Sequence, residues 1–374
     1  MNLDYDDLKR MHSGVSKQER DKILRGFIKR VDATLALHKH VPLNRFSLKC
    51  MDDVGPAPVI GWITNVLKRR VSEMVLDISS CWAWPMSAAI VGCETMVQEF
   101  WESCSVSSTS LNRLTFRFRQ MFLDNHKSVS FDTPNLLYLE YSDVIADKYP
   151  KANFDSLVEA RLDLQMTHDQ IHEAKFAGDD LSTHEGLVGN ATVFFMGICN
   201  VKALYLSDST LEVLAFCCEP MPVFNNLIKL TVKTDRHVGW ESLTTLLKNS
   251  PNLETLVFEG LLHRDGMKCQ SDECLCKPWE VEDIPTCLSS SPVKILKILK
   301  FGDIYEDEDM DRMMEQVEYF LETMPNLEQL IIHYETSIDE DVEEVLSQFQ
   351  MVPREGLTNC QIQVISDNIH LSSI

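Results

Sequence analysis

Apolar residues recur along this chain at one repeated spacing. In three places the tripeptide Pro-Asn-Leu opens it. Pro134-Asn135-Leu136 leads to Leu139 and Tyr141, Pro251-Asn252-Leu253 to Leu256 and Phe258, and Pro325-Asn326-Leu327 to Leu330 and Ile332. Each time an apolar residue is followed three positions on by a second and five positions on by a third. Further copies start at Leu111, Leu157, Val201, Leu227 and Val293, with Ala160 replacing a leucine in one. Two earlier copies run through Leu43, Phe46 and Leu48 and through Val71, Met74 and Leu76. Most steps between neighbouring copies fall in the range of roughly 20–29 residues that marks L-x-x-L-x-L repeats. The longer steps hold insertions or degraded copies, one of them at Cys93-Glu94-Thr95-Met96-Val97.

The geometry behind this spacing is simple. Residues three and five positions along share a parity, so Leu204 and Leu206 leave a strand on the same side. Tyr205 and Ser207 leave on the other. Each repeat buries about three apolar side chains, each contributing roughly 1.5–3 kcal/mol. One repeat cannot close a core, but a stack can. The predicted fold is an irregular α/β solenoid of short parallel strands, about four residues each, with helices or loops as the outer wall.

Helical spacing appears between the strands. Ser16-Lys17-Gln18-Glu19 reads as a capping box, followed by a stripe through Ile23, Leu24, Phe27, Ile28, Val31 and Leu35. A short helix carries Trp62, Ile63, Val66 and Leu67. The last hundred or so residues read as strand, helix, strand, helix, strand. Their helices run over Glu308–Thr323 and Asp341–Phe349 and their last strand over Gln361–Ile365, an end piece expected to cap the solenoid.

Composition narrows the partners. The formal net charge is −22, which repels nucleic acid and anionic membrane. No stretch approaches the roughly 18 apolar residues of a membrane helix. Twelve cysteines without a secretory signal point to free thiols in the cytoplasm or nucleus.

Candidate chemistry is sparse. Phosphate loops, H-E-x-x-H, G-x-S-x-G and dinucleotide fingerprints are missing, so no enzyme and no cofactor are expected. Cys269, Cys274 and Cys276 with His263 nearby offer thiolate and imidazole donors for zinc. The tight Cys-x-Cys and the missing C-x-x-C knuckle favour plain loop thiols, and no metal is assigned. Asp307, Asp309, Asp311 and Glu318 match a calcium-loop count, but Arg312 stands where glycine is needed and a helix explains the segment better. The strongest site is the concave sheet. By parity its ligand-facing residues are Lys49, Asp77, Arg117, Glu140, Ser142, Arg161, Asp163, Tyr205, Ser207, Lys233, Glu259 and His333. Mixed charge with a tyrosine suits a protein ligand.

Four stretches carry a family resemblance. They are Phe46-Ser47-Leu48-Lys49-Cys50 with Trp62-Ile63-Thr64-Asn65-Val66-Leu67; Gly260-Leu261-Leu262-His263-Arg264 with Cys269, Cys274 and Cys276; Cys287-Leu288-Ser289-Ser290-Ser291-Pro292; and Pro353-Arg354 with Cys360-Gln361-Ile362. In order and spacing they resemble the plant F-box/leucine-rich-repeat proteins with a C-terminal FBD domain. The resemblance implies three parts: a repeat solenoid over 1–265, a cysteine-containing insertion over 266–285 and an FBD-like α+β cap over 286–374. It also implies a noncatalytic substrate-recognition module of an SCF-type ubiquitin ligase. Family members usually begin with an F-box that docks a Skp-type adaptor. Leu3-Asp4-Tyr5-Asp6-Asp7 resembles the segment just after one, with no Leu-Pro opening run and no Ser-Lys-Arg-Trp ending. Adaptor docking is therefore not expected from this stretch alone, and the alternative is an F-box-less interaction or decoy protein with no ligase link.

Overall fold

The computed structural model describes residues 1–4, 16–38, 43–50, 54, 56–80, 103–120, 128–176, 188–263, 274–276, 286–302, 308–335, 343, 345–349 and 360–366. Cys93–Val97, Cys269 and Asp307 lie outside them. The chain divides into two compact units, residues 1–198 with 216–220, and residues 199–215 with 221–374.

The first unit is built on a parallel sheet. Its strands are β1 (Asn2–Asp4), β2 (Arg45–Cys50), β3 (Glu73–Ser80), β5 (Arg113–Gln120), β7 (Tyr138–Val144) and β9 (Glu159–Gln165), neighbours in that order. The expected apolar positions face each other across it: Phe46, Met74, Leu114, Leu139 and Ala160 form one row, and Leu48, Leu76, Phe116, Tyr141 and Leu162 the next. All ten are buried. Strands reach eight residues at β3 and β5, twice the expected length.

Two helices follow the early strands. Helix α1 (Lys17–Leu37) begins with the foreseen capping box, Glu19 N–H donating to Ser16 Oγ and Ser16 N–H to the Glu19 carboxylate. Phe27, Val31 and Leu35 are its buried face. Phe27 meets Trp62 of helix α2 (Pro56–Lys68) edge to face, and Trp62 Nε1 donates to Asp32 at 2.7 Å.

Part of the outer wall in this unit, among the described residues, is a second sheet, where helices or loops were expected. Strands β4 (Ser103–Ser107), β6 (Ser128–Asp132) and β8 (Lys148–Asn153) pair in parallel. Strands β6 and β8 fall within the repeats starting at Leu111 and Leu136, and β4 within the longer step before Leu111. Alternation at Cys104 and Val106 and at Val129 and Phe131 turns buried side chains inward. After helix α3 (His168–Phe176), helix α4 (Thr192–Ile198) lies directly on β8. A Cβ at Gly197 would meet the Ala152 carbonyl oxygen, which is why glycine stands there. Phe131, Tyr141, Tyr149, Phe154 and Phe194 fill the space between wall and sheet, with ring centroids 5.1–6.1 Å apart.

The second unit repeats the scheme with helices outside. Its sheet runs β10 (Ala203–Leu206), β11 (Lys229–Lys233), β12 (Thr255–Glu259), β13 (Ile295–Phe301), β14 (Gln329–Tyr334) and β15 (Gln361–Ser366), parallel throughout. Leu204, Leu230, Leu256, Leu296, Leu330 and Ile362 form one continuous row. The C-terminal strands thus extend the same ladder in register. Helices α5 (Asp208–Cys217), α6 (Glu241–Lys248), α7 (Thr286–Ser289) and α8 (Glu308–Thr323) connect them. Met313, Val317, Phe320 and Leu321 are the buried face of α8, and Phe320 stacks on Phe258. Residues 345–349 are helical, with Val345 and Phe349 buried.

The structure explains why Pro-Asn-Leu recurs. Leu136, Leu253 and Leu327 each donate a backbone N–H to the carbonyl three residues back, at Thr133, Ser250 and Met324. Proline therefore sits at the second position of a β-turn, where its fixed φ fits. The asparagine side chain then reaches back one rung: Asn135 Nδ2 donates to Thr109 O at 2.7 Å, Asn252 to Asn225 O at 2.8 Å and Asn326 to Ser291 O at 2.8 Å. The two backbone N–H groups after each leucine also share one carbonyl of the preceding rung, as Glu254 and Thr255 do on Ile228 O.

Candidate functional site

On the outward face of the first sheet the expected residues stand in rows. Lys49, Asp77, Arg117, Ser142 and Asp163 are successive neighbours across five strands. Glu140 and Arg161 are opposed in the adjacent row. Arg117 is the hub. Its guanidinium donates through Nε to Glu140 at 2.8 Å and lies 3.6 Å from Asp77. Partial burial works against its charge, but Glu140 and Asp77 more than offset that and raise its pKa. Ser142 Oγ donates to Asp163 at 3.0 Å.

A second row was not singled out from sequence. Arg45 pairs with Glu73 at 3.3 Å, and Glu73 also faces Arg113 at 3.8 Å. Arg113 lies 3.4 Å above the Tyr138 ring, and Tyr138 Oη donates to Glu140 at 3.1 Å. The parity rule, carried back to the first residue of each strand, would have placed these residues on the face. Their opposed charges across the register were the further signal.

In the second unit Glu259 is the hub. It accepts from Tyr205 Oη at 3.1 Å, two strands away, and from Lys300 Nζ at 2.8 Å. Partial burial would raise its pKa, but Lys300, Tyr205 and Lys233 together hold it below the usual carboxylate range. Lys233 also pairs with Asp208 at 3.3 Å. Lys300 has the wrong parity for this face. A register shift between Ile298 and Phe301, with Lys300 at φ +55°, turns it outward. No spacing rule shows that shift. His333 lies opposite Ile365 on the same face. Ser207 corrects the expectation. It is buried beyond the end of β10 and binds Thr210, accepting its N–H and sharing a hydroxyl contact at 2.9 Å, so it starts helix α5 and does not face a ligand.

His263, Cys274 and Cys276 come together. Their donor atoms all lie within 4.8 Å of one another, with His263 Nε2 3.0 Å from Cys274 Sγ. Gly260 at φ +81° turns the chain after β12 towards the cluster. The Trp240 ring meets His263 edge-on, and its backbone N–H donates to Cys274 Sγ. Cys274 is buried, yet its pKa is brought down to about 4. The hydrogen bond from Cys276 is the main cause, and His263 adds to it against the opposing effect of burial.

A parallel ladder of buried leucines carrying an ordered, charged outward face defines a repeat protein of the leucine-rich kind. The chain belongs to the plant F-box/LRR-repeat family. It is 44% identical to an F-box/LRR-repeat protein of Arabidopsis thaliana over 430 residues, covering 100% of this chain and 87% of the relative. A putative F-box protein of the same plant is 42% identical and is matched over 89% of its length. A putative F-box/FBD/LRR-repeat protein, also of that plant, is 42% identical over 98% of this chain and 82% of its own length. No protein-family model matches the chain, and no solved structure matches it. Among the described residues, no helix is long and apolar enough to cross a membrane.

Proposed function

We propose that this chain is the substrate-recognition part of an SCF-type ubiquitin ligase, is itself noncatalytic, and holds a protein substrate on its outward sheet face. The observation that carries this reading is the pre-ordered charge lattice centred on Arg117, with the Glu259 hub as its counterpart in the second unit. Side chains already fixed by their neighbours lose little freedom on binding, and that favours their use in recognition. The names of the relatives support the ligase link, and one of those names includes FBD. The division into a solenoid over 1–265, an insertion over 266–285 and an FBD-like end over 286–374 is part of the proposal. So is a cytoplasmic or nuclear location.

The test is a pull-down of the 374-residue chain with the Skp-type adaptor present, together with the same chain carrying Arg117→Glu. That substitution sets a third carboxylate against Asp77 and Glu140 while leaving the buried rungs alone. The expected result is a specific protein client whose capture falls at least tenfold in the variant, with the circular dichroism unchanged. Recovery of adaptor with the client supports the ligase link. A client without adaptor favours the F-box-less interaction reading. Equal capture by both chains removes this face as the binding surface.

A further inference from the structure

We propose that His263, Cys274 and Cys276 form a site for a zinc-class metal ion, which fastens the segment after β12 to residues 274–276. The donor set is the chemical reason. Two thiolates and an imidazole suit a borderline-soft divalent ion and are poor ligands for calcium or magnesium. Geometry is the second reason. Zinc–sulfur bonds of about 2.3 Å and zinc–nitrogen bonds of about 2.0 Å in a tetrahedron set donor atoms roughly 3.5–3.8 Å apart. The three donors lie within 4.8 Å of one another, and the His263–Cys274 pair, at 3.0 Å, needs to part by only about half an ångström. Residues eleven to thirteen positions apart in sequence meet here through no strand pairing of their own.

The surroundings hold the ligands in place. Trp240 stacks on Phe258 at 5.4 Å and Phe258 on Phe320 at 5.5 Å, so the imidazole of His263 rests against a column of buried rings. The Trp240 amide that donates to Cys274 Sγ is the kind of neighbour that stabilises a thiolate ligand. An independent observation comes from Tyr319. Its hydroxyl is buried with no hydrogen-bond partner among the described residues, and its pKa is pushed up to about 12 by burial, with Cys287 and Cys276 adding to it. A buried polar atom without a partner among the described residues, whose electrostatic surroundings include Cys287 and Cys276, fits a neighbourhood that receives a further polar group, such as an ion-bound water. Three protein donors leave one tetrahedral position for such a group.

The experiment uses the full chain purified without chelators. Zinc is measured by mass spectrometry of the metal, and cobalt(II) then replaces it. About one zinc per chain and an intense thiolate-to-cobalt charge-transfer band are expected. Cys276→Ser and His263→Ala should lower retained zinc at least tenfold, whereas Cys199→Ser, at a thiol elsewhere in the same unit, should retain it. His263→Cys keeps a ligand at the position. It should hold zinc and shift the cobalt spectrum towards a three-thiolate form, which separates loss of the site from loss of the fold. Zinc should also protect Cys274 and Cys276 from alkylation. A folded parent chain that retains no zinc, or variants that hold as much as the parent, would overturn the proposal. So would a cobalt spectrum without the charge-transfer band.

Discussion

Asp143 is the residue whose chemistry departs furthest from its surroundings. It carries the inward parity of β7 and is 4% exposed, in a core of aromatic rings. Tyr141 Oη donates to one carboxyl oxygen at 3.1 Å and the Val144 N–H to the other at 2.8 Å. Burial outweighs both and pushes its pKa up to about 8. The folded state therefore holds the proton between about pH 4 and pH 8, where the unfolded chain has released it. Stability is unaffected by this group below that window and falls as pH rises through it, by up to about 1.4 kcal/mol per pH unit. A lower melting temperature at pH 8 than at pH 5 is expected. Asp143→Asn should flatten that slope and melt above the parent at pH 8, and an equally steep slope in the variant would acquit Asp143. The exposed Arg117 lattice behaves differently. Its side chain is 34% exposed, so Arg117→Ala should cost at most about 1 kcal/mol in a urea titration while removing the hub of the face.

At the scale of the element, the same substitution should have opposite effects at two glycines. Gly61 in α2 has nothing within 4 Å of its missing Cβ, so Gly61→Ala should stabilise by about 0.5–1 kcal/mol through helix propensity. Gly197 faces Ala152 backbone, and Gly197→Ala should force α4 off β8 and destabilise by about 1–3 kcal/mol. Paired thermal melts decide both. Asn252→Ala should cost about 1 kcal/mol by removing the side-chain bond to the preceding rung, and Asn135→Ala the same. Much of this level was legible in the sequence. The rungs, the capping box and the parity of the outward residues follow from local periodicity, and local periodicity survives folding. The strand-built wall was not legible, because Val129 and Phe131 make an alternation too short to distinguish from a loop. Nor was the outward turn of Lys300, since a register shift depends on its partner strand. The meeting of His263 with Cys274 depends on where Gly260 sends the chain, which spacing alone does not encode.

At the scale of the whole molecule, charge and repetition dominate. A formal net charge of −22 repels itself more in the compact state than in the expanded one. Added salt should therefore raise the melting temperature by a few degrees, despite weakening the exposed pairs, because screening acts on every like-charged pair at once. A melting temperature that falls with salt would mean the surface pairs outweigh the net repulsion. The backward-reaching turn has a further consequence. Each Pro-Asn-Leu corner needs only two backbone carbonyls on its predecessor, one for the asparagine side chain and one for the two amides after the leucine. Three predecessors of different sequence offer them, Thr109 and Asn112, Asn225 and Ile228, and Ser291 and Lys294, so a gene that lost or duplicated one such unit would still encode neighbours able to bond. Recombination can lengthen or shorten this protein in whole steps, changing which outward residues stand side by side while leaving the joint between them intact.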